Sequence, residues 1–244
     1  SEAQKEAAIE LFMKTHGGRS FLKGHLFGDN VHEFLAPCIY EGEGEMLGMA
    51  FFKSLVKHHG KSFFEPIGRL LHERGIKKPN LANPAHLWAL RGPGATYSSW
   101  YARRRLTGTS WDKFDGIPND LAGHARFAQR LLSKSGFEIS GTMRKFQLKL
   151  VDRQCRMSAL SSKLQDAVVM LVTSLYASRS EDETTRSAAD TVCRELRRRI
   201  TGDAPSDRDF RQITQLGATI ADDGWSELKD IVPGDILMPY RNDT

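Results

Sequence analysis

Long apolar runs are missing from this 244-residue chain. The longest unbroken aliphatic stretch, Val168 to Val172, falls far short of the ~20 residues that span a bilayer. No charged-then-apolar leader precedes a cleavage-like site, so the sequence predicts a soluble, cytoplasmic chain. Cysteine is scarce too. Cys38, Cys155 and Cys193 form no C-x-x-C pair, which excludes a disulfide framework and a zinc knuckle and points to reduced thiols. The eight histidines include no H-E-x-x-H and no set sharing a helical face with carboxylates, so no metal is expected. Alternating β-branched residues are nearly absent, which argues against sheets. Between Lys23 and Lys53 there is no Lys or Arg at all, while five acids occur.

What is present is ordinary in amount and uneven in distribution. Hydrophobic residues make up 40% and charged ones 27%, enough for one large core or two smaller ones. Residues 1–60 hold six Lys/Arg against eight Asp/Glu, and residues 61–244 hold 29 against 22. Composition changes near Gly60, where a domain boundary is expected. The chain opens at Ser1, without Met and already inside a helical pattern, as a piece of a longer protein would.

Helical periodicity recurs along the chain. Ala8, Ile9 and Phe12 mark a first helix ended by the glycines after His16. Leu47, Phe51 and Leu55 lie four apart on a second, from Glu45 to Lys57. "GIKKPNLANP" and "RGPG" read as turns. Leu121, Ala125, Ala128 and Leu132 then form a stripe that Gly136 would close. From about Glu138 to Arg179, Leu150, Met157, Leu164 and Leu171 stand seven apart, a seam for lengthwise packing. Ser180 and Glu183 spell a capping box ahead of a helix with Ala189, Val192, Leu196 and Ile200 on one face and a stop at Gly202. Ser206 and Asp209 open one more helix, to about Asp222. The expected fold is all-α, two helical bundles in series.

Chemistry is concentrated in "IYEGEGEML", residues 39–47. A carboxylate set after bulky apolar residues is poorly hydrated, which raises its pKa toward the range of a general base. Glu41, behind Ile39 and Tyr40, is such a candidate. Gly42 lets a ligand approach the backbone. A helix starting near Glu43 would favour a negative partner at its first N–H groups, although acids in a first turn are equally common as plain helix-start residues.

Together, "HGG" and "IYEGEGEMLGMAF" resemble the C-terminal helical domain of the acyl-CoA dehydrogenases. That family carries a Gly-Gly loop, an Ile-Tyr-Glu-Gly-Thr segment and then a helix, and the interval from Gly18 to Glu41 fits its register. The resemblance implies FAD as cofactor and a fatty acyl-CoA as substrate. It makes Glu41 the base that removes a proton beside the thioester carbonyl while hydride passes to the flavin. Tyr40 and Gly42 would line the thioester. Gly17 and Gly18 would touch the FAD of a neighbouring subunit, with Glu43 and Glu45 beside the flavin. A homo-oligomer and an acceptor such as electron-transfer flavoprotein follow by the same implication. The chain departs from the family at Lys14, His32 and Glu43, where Gln, Arg and Thr are usual.

Residues 124–179 are similar in pattern to the extra helical domain of the large bacterial members that act on long-chain substrates. Residues 1–60 are thus expected to end the family's helical domain, and 61–244 to form an added helical bundle. Both the N-terminal helical domain and the β-domain would precede Ser1, and without their walls the chain alone is expected to hold no flavin and to be inactive. Arg103-Arg104-Arg105 and Arg197-Arg198-Arg199 offer the alternative of a module for an anionic membrane surface or a partner protein. Nucleic acid fits less well, since no nucleic-acid motif accompanies them, and peripheral membrane contact suits long-chain substrates better.

Overall fold

The computed structural model describes residues 2–40, 44–80, 82–106 and 114–229. Among them the chain is all-helical, without a strand. The first helical stretch runs through Glu2–Lys5 (α1), wide π-type turns over Glu6–Met13, and Lys14–His16 (α2). Gly17, at φ 60°, ends it, a backbone angle glycine adopts without a Cβ penalty. Short helices Leu26–Asp29 (α3) and Val31–Ile39 (α4) follow.

Helix α5 (Gly44–His59) continues through wide turns at Gly60–Phe64 into α6 (Glu65–Glu73). The composition change near Gly60 therefore falls inside a continuous helical run. The face that α5 buries differs from the one its spacing suggests: Met49 and Phe52 are buried with Leu55 and Val56 packed beside them, while Phe51 is exposed. Contact with α9 sets this rotation. Ser161 Oγ donates to the Gly48 carbonyl at 2.7 Å, and a Cβ at Gly48 would stand 2.3 Å from Gln165 Nε2. A larger residue there would have to displace the end of the Gln165 side chain and crowd Ser161 Oγ, 3.2 Å from the same Cβ.

"RGPG" does not turn. Helix α7 (Pro84–Leu106) runs straight through Pro93, although a proline there removes one helix hydrogen bond. Its aromatic face compensates, because Tyr97, Trp100 and Tyr101 pack among His59, Phe63, Phe64 and Phe137. Gly136 is no stop either. Helix α8 (Asn119–Phe146) passes it and ends at Gln147, at φ 48°. The Trp100 ring packs over Gly136, its Cζ2 3.5 Å from where a Cβ would stand, an ordinary contact.

A 3₁₀ connection, Gln147–Asp152, reverses the chain into α9 (Gln154–Ala177), so the stretch read from Glu138 to Arg179 as one seam is broken at its first member. Leu150, Met157 and Leu164 are nonetheless all buried, in a cluster with Met49, Phe52 and Ile139. Helix α10 (Glu183–Thr201) is capped by Asp182, whose Oδ1 accepts from Thr184 N at 2.9 Å. Ser180 sits two residues further out, taking the N–H of Asp182 at 3.2 Å. A carboxylate accepts the orphan N–H better than a hydroxyl does, which explains the shift. Gly202, at φ 80°, ends α10, and the Ser206/Asp209 capping box opens α11 (Asp207–Asp223).

Helices α8, α9 and α10 form the centre. Leu121 packs with Ala177 and Ala189 at one level, and Ala128 with Ala167, Met170 and Cys193 at the next. Four of these seven contact residues are alanines, which let the helix axes come close. Val192, expected on the buried face of α10, is exposed, and Cys193 takes its place. Helix α11 packs on α10, and α5 packs on α9 and α8.

Candidate functional site

The glycine loop is built on the segment from Met13 to Asp29. Ser20 is buried and its Oγ donates to the Gly17 carbonyl at 2.6 Å and toward Met13 O at 3.3 Å. Gly28 packs so tightly against the Ser20 backbone that an added Cβ would stand 1.8 Å from the Ser20 carbonyl oxygen. Buried His25 accepts the Gly28 N–H at Nδ1 (3.3 Å). Its Nε2–H is then left to donate to His16 Nδ1, 3.0 Å away. Gly24 N donates to Asp29 Oδ2 at 2.7 Å, closing the loop. Phe27 packs at a tilt against the rings of Phe12 and Phe34.

Gly17 and Gly18 themselves stand open, with no atom within 4 Å of where a Cβ would be. Tyr40 caps the C-terminal end of α4 and is 85% exposed, and Ile39 beside it is 64% exposed. Glu41, Gly42 and Glu43 lie outside the described residues, and Glu45 falls in the first turn of α5. Lys14 is ion-paired with Glu10 one turn earlier, whose carboxyl is held below its usual range by that lysine's hydrogen bond and charge. His32 is exposed on α4.

A second polar cluster was not foreseen from spacing. It lies where α8, α10 and α11 converge, around Asp190, which is buried. Asp190 Oδ1 accepts from His124 Nε2 at 2.8 Å, and Oδ2 from Arg194 Nε at 2.7 Å. Burial works to raise the Asp190 carboxyl, but the hydrogen bonds and charges of His124 and Arg194 together outweigh it and hold the group below its usual range. Asp209 is held low first by the Ser206 N–H and hydroxyl, then by the charges of Arg198 and Arg194. Arg198 and Arg194 stand 3.4 and 3.6 Å from its Oδ1. One signal was available in the sequence: Asp190 sits between Ala189 and Cys193 on the apolar side of α10, where a lone acid needs partners.

His59 is also buried, set among Phe63, Phe64 and Trp100. Burial, and then the neighbouring His58, push its pKa down. Cys193 is ruled out as a nucleophile, since burial pushes its thiol up to about 11, leaving almost no thiolate near neutral pH. Among the described residues no group of His, Cys, Asp and Glu could hold a metal ion.

No family model, curated protein or solved structure matches the chain.

Proposed function

We propose that the chain is the C-terminal part of a flavin-dependent acyl-CoA dehydrogenase, two helical bundles in series of which the first ends the family's helical domain. Glu41 acts as the base that removes the proton beside the acyl-CoA thioester carbonyl. FAD takes the hydride and passes the electrons to electron-transfer flavoprotein or a similar acceptor. The reading is carried by one observation: the Gly17-Gly18 and Tyr40-Glu41-Gly42 motifs occur together in the order and register of that family.

Two structural features support it. The Gly17-Gly18 backbone is held from beneath by Ser20, His25 and Gly28 while its outer side is unobstructed, the shape a loop needs to meet a cofactor from another subunit. Ile39 and Tyr40 expose large apolar faces directly before Glu41. Another protein wall laid over them would dehydrate the carboxylate and raise its pKa, as proton abstraction from carbon requires.

The test is Glu41→Gln in the flavin-loaded parent enzyme. FAD absorbance should be retained, and dye-coupled oxidation of a long-chain acyl-CoA should fall about 10²- to 10⁴-fold. Turnover near the parent's would overturn the role of Glu41. The 244-residue chain alone should purify colourless; a yellow, active sample would overturn its dependence on preceding domains.

A further inference from the structure

We infer that the arm formed by α6 and α7 docks on a bilayer surface rich in anionic lipid, with Leu87 and Trp88 entering the interface and the Lys and Arg around them meeting the headgroup phosphates. Charge sets this arm apart from the rest of the chain. Residues 1–60 hold six Lys/Arg against eight Asp/Glu, residues 61–106 hold nine against two, and residues 107–244 hold twenty against twenty. The entire basic excess therefore lies in the arm. Between Glu73 and Asp112 no acid occurs at all, while seven Lys/Arg do. The structure also separates the two arginine triplets. Arg198 is paired with Glu195 and Asp209, and Arg199 with Glu6 and Asp166, so two of that triplet are already matched within the chain. In the arm, Arg69 pairs with Glu65, whereas Arg74, Lys77, Lys78 and Arg91 pair with no acid among the described residues.

The tip of the arm adds an apolar wedge. Asn80 N donates to His86 Nδ1 at 3.1 Å, holding the turn that carries Lys77 and Lys78 against the start of α7. Leu87 and Trp88 come next and are 52% and 66% exposed. Arg91 lies one turn on, its guanidinium 3.5 Å over the Trp88 ring. Helix α6 buries no residue and α7 only Ala89. The arm is fastened to the centre at its other end, where Tyr97 OH meets Ser140 Oγ at 2.6 Å and Trp100 and Tyr101 pack on Phe137. The tip is thus left uncovered. Cations set around an exposed Leu and Trp suit a bilayer, in which phosphates lie outside an apolar layer and an indole ring settles at the boundary. Nucleic acid offers phosphates but no apolar layer for Leu87, and Arg91 already covers one face of the ring on which a base would stack. No helix among the described residues is long and apolar enough to cross a membrane, so the arm lies on the surface. The proposal stands whether or not the dehydrogenase reading does.

The experiment is co-sedimentation of the full chain with vesicles of phosphatidylcholine alone and of an equimolar mixture with phosphatidylglycerol, alongside tryptophan emission and a duplex DNA titration at the same salt. The chain should bind the mixed vesicles and not phosphatidylcholine alone, and its emission should shift to the blue. Lys77→Gln/Lys78→Gln should weaken binding about tenfold or more. Arg208→Gln/Arg211→Gln, the same charge loss on α11 away from the arm, should change it less than about twofold, because charges further than a Debye length from the lipid are screened. Trp88→Phe should abolish the blue shift. All three variants change only exposed side chains, which leaves the fold intact. No binding to the mixed vesicles, equal weakening by the two charge pairs, a blue shift that survives Trp88→Phe, or tighter binding to duplex DNA than to the mixed vesicles would each overturn the proposal.

Discussion

The first sixty residues and the α8–α10 centre handle apolar side chains in opposite ways. Around the glycine loop, Leu11, Phe12, Phe21, Leu22, Ile39 and Tyr40 are exposed. In the centre, Leu121, Ala125, Ala128, Ala167, Met170 and Cys193 have no exposed surface at all. Small residues at the α8–α9–α10 contacts allow close approach and cover the side chains between the helices. The loop region has aromatic groups but only short helices, which cannot wrap them. Exposed apolar groups gathered in one region mark a surface built to be covered by something else. The centre is not wholly sealed, since Val168, Val169, Val172 and Tyr176 remain exposed on the outer face of α9.

Three measurements would sharpen or break this contrast. Phe52 is fully buried between α5 and the centre, and Phe52→Ala should lose about 3–5 kcal/mol in urea unfolding, as buried Phe→Ala changes generally do. Phe12→Ala, at a half-exposed ring, should lose clearly less; equal losses would mean that the loop region is as tightly packed as the centre.

A smaller effect is expected at His59. Its folded-state pKa lies below the unfolded value, so the unfolded chain binds more protons as the solution is acidified. The stability His59 contributes is complete above about pH 6.5 and is lost as pH falls through the folded-state value. A midpoint-against-pH curve for His59→Phe should lack this component of the parent's curve. Superimposable pH dependences would remove His59 from the account.

The smallest effect is expected at Phe21, 84% exposed. Phe21→Ser should shift stability by no more than about 0.5 kcal/mol, as surface changes usually do. A loss of several times that would show that the ring is covered within the chain itself.

Much of the helical layout was legible because its signals are local. The Ser206/Asp209 capping box and the glycine stops at Gly17 and Gly202 act within one or two turns, and all appear where expected. The buried trio Leu150, Met157 and Leu164 was visible in spacing, although the reversal at Gln147–Asp152 was not. Misreadings fall where a distant ring or helix overrules a local breaker. Pro93 stays helical under the Tyr97–Trp100–Tyr101 face, and α8 runs on through Gly136, where Trp100 packs against it.

The candidate sites divide in the same way. Gly17 and Gly18 could be named from the sequence because a motif marks them, and the structure adds the Ser20–His25–Gly28 support beneath. The His124–Asp190 pair is 66 positions apart and has no motif, so only folding reveals it.

The sequence by itself determined that this chain is helical, where some helices begin and end, and that a glycine pair precedes an acid-rich segment, because capping and periodicity depend on neighbours a few residues away. Tertiary structure alone decided which face α5 turns inward, that helix survives a proline, and that a histidine, two aspartates and two arginines pair in one cluster. Those outcomes depend on side chains brought together from helices far apart in the chain, whose packing and charge pairing outweigh what any short segment prefers.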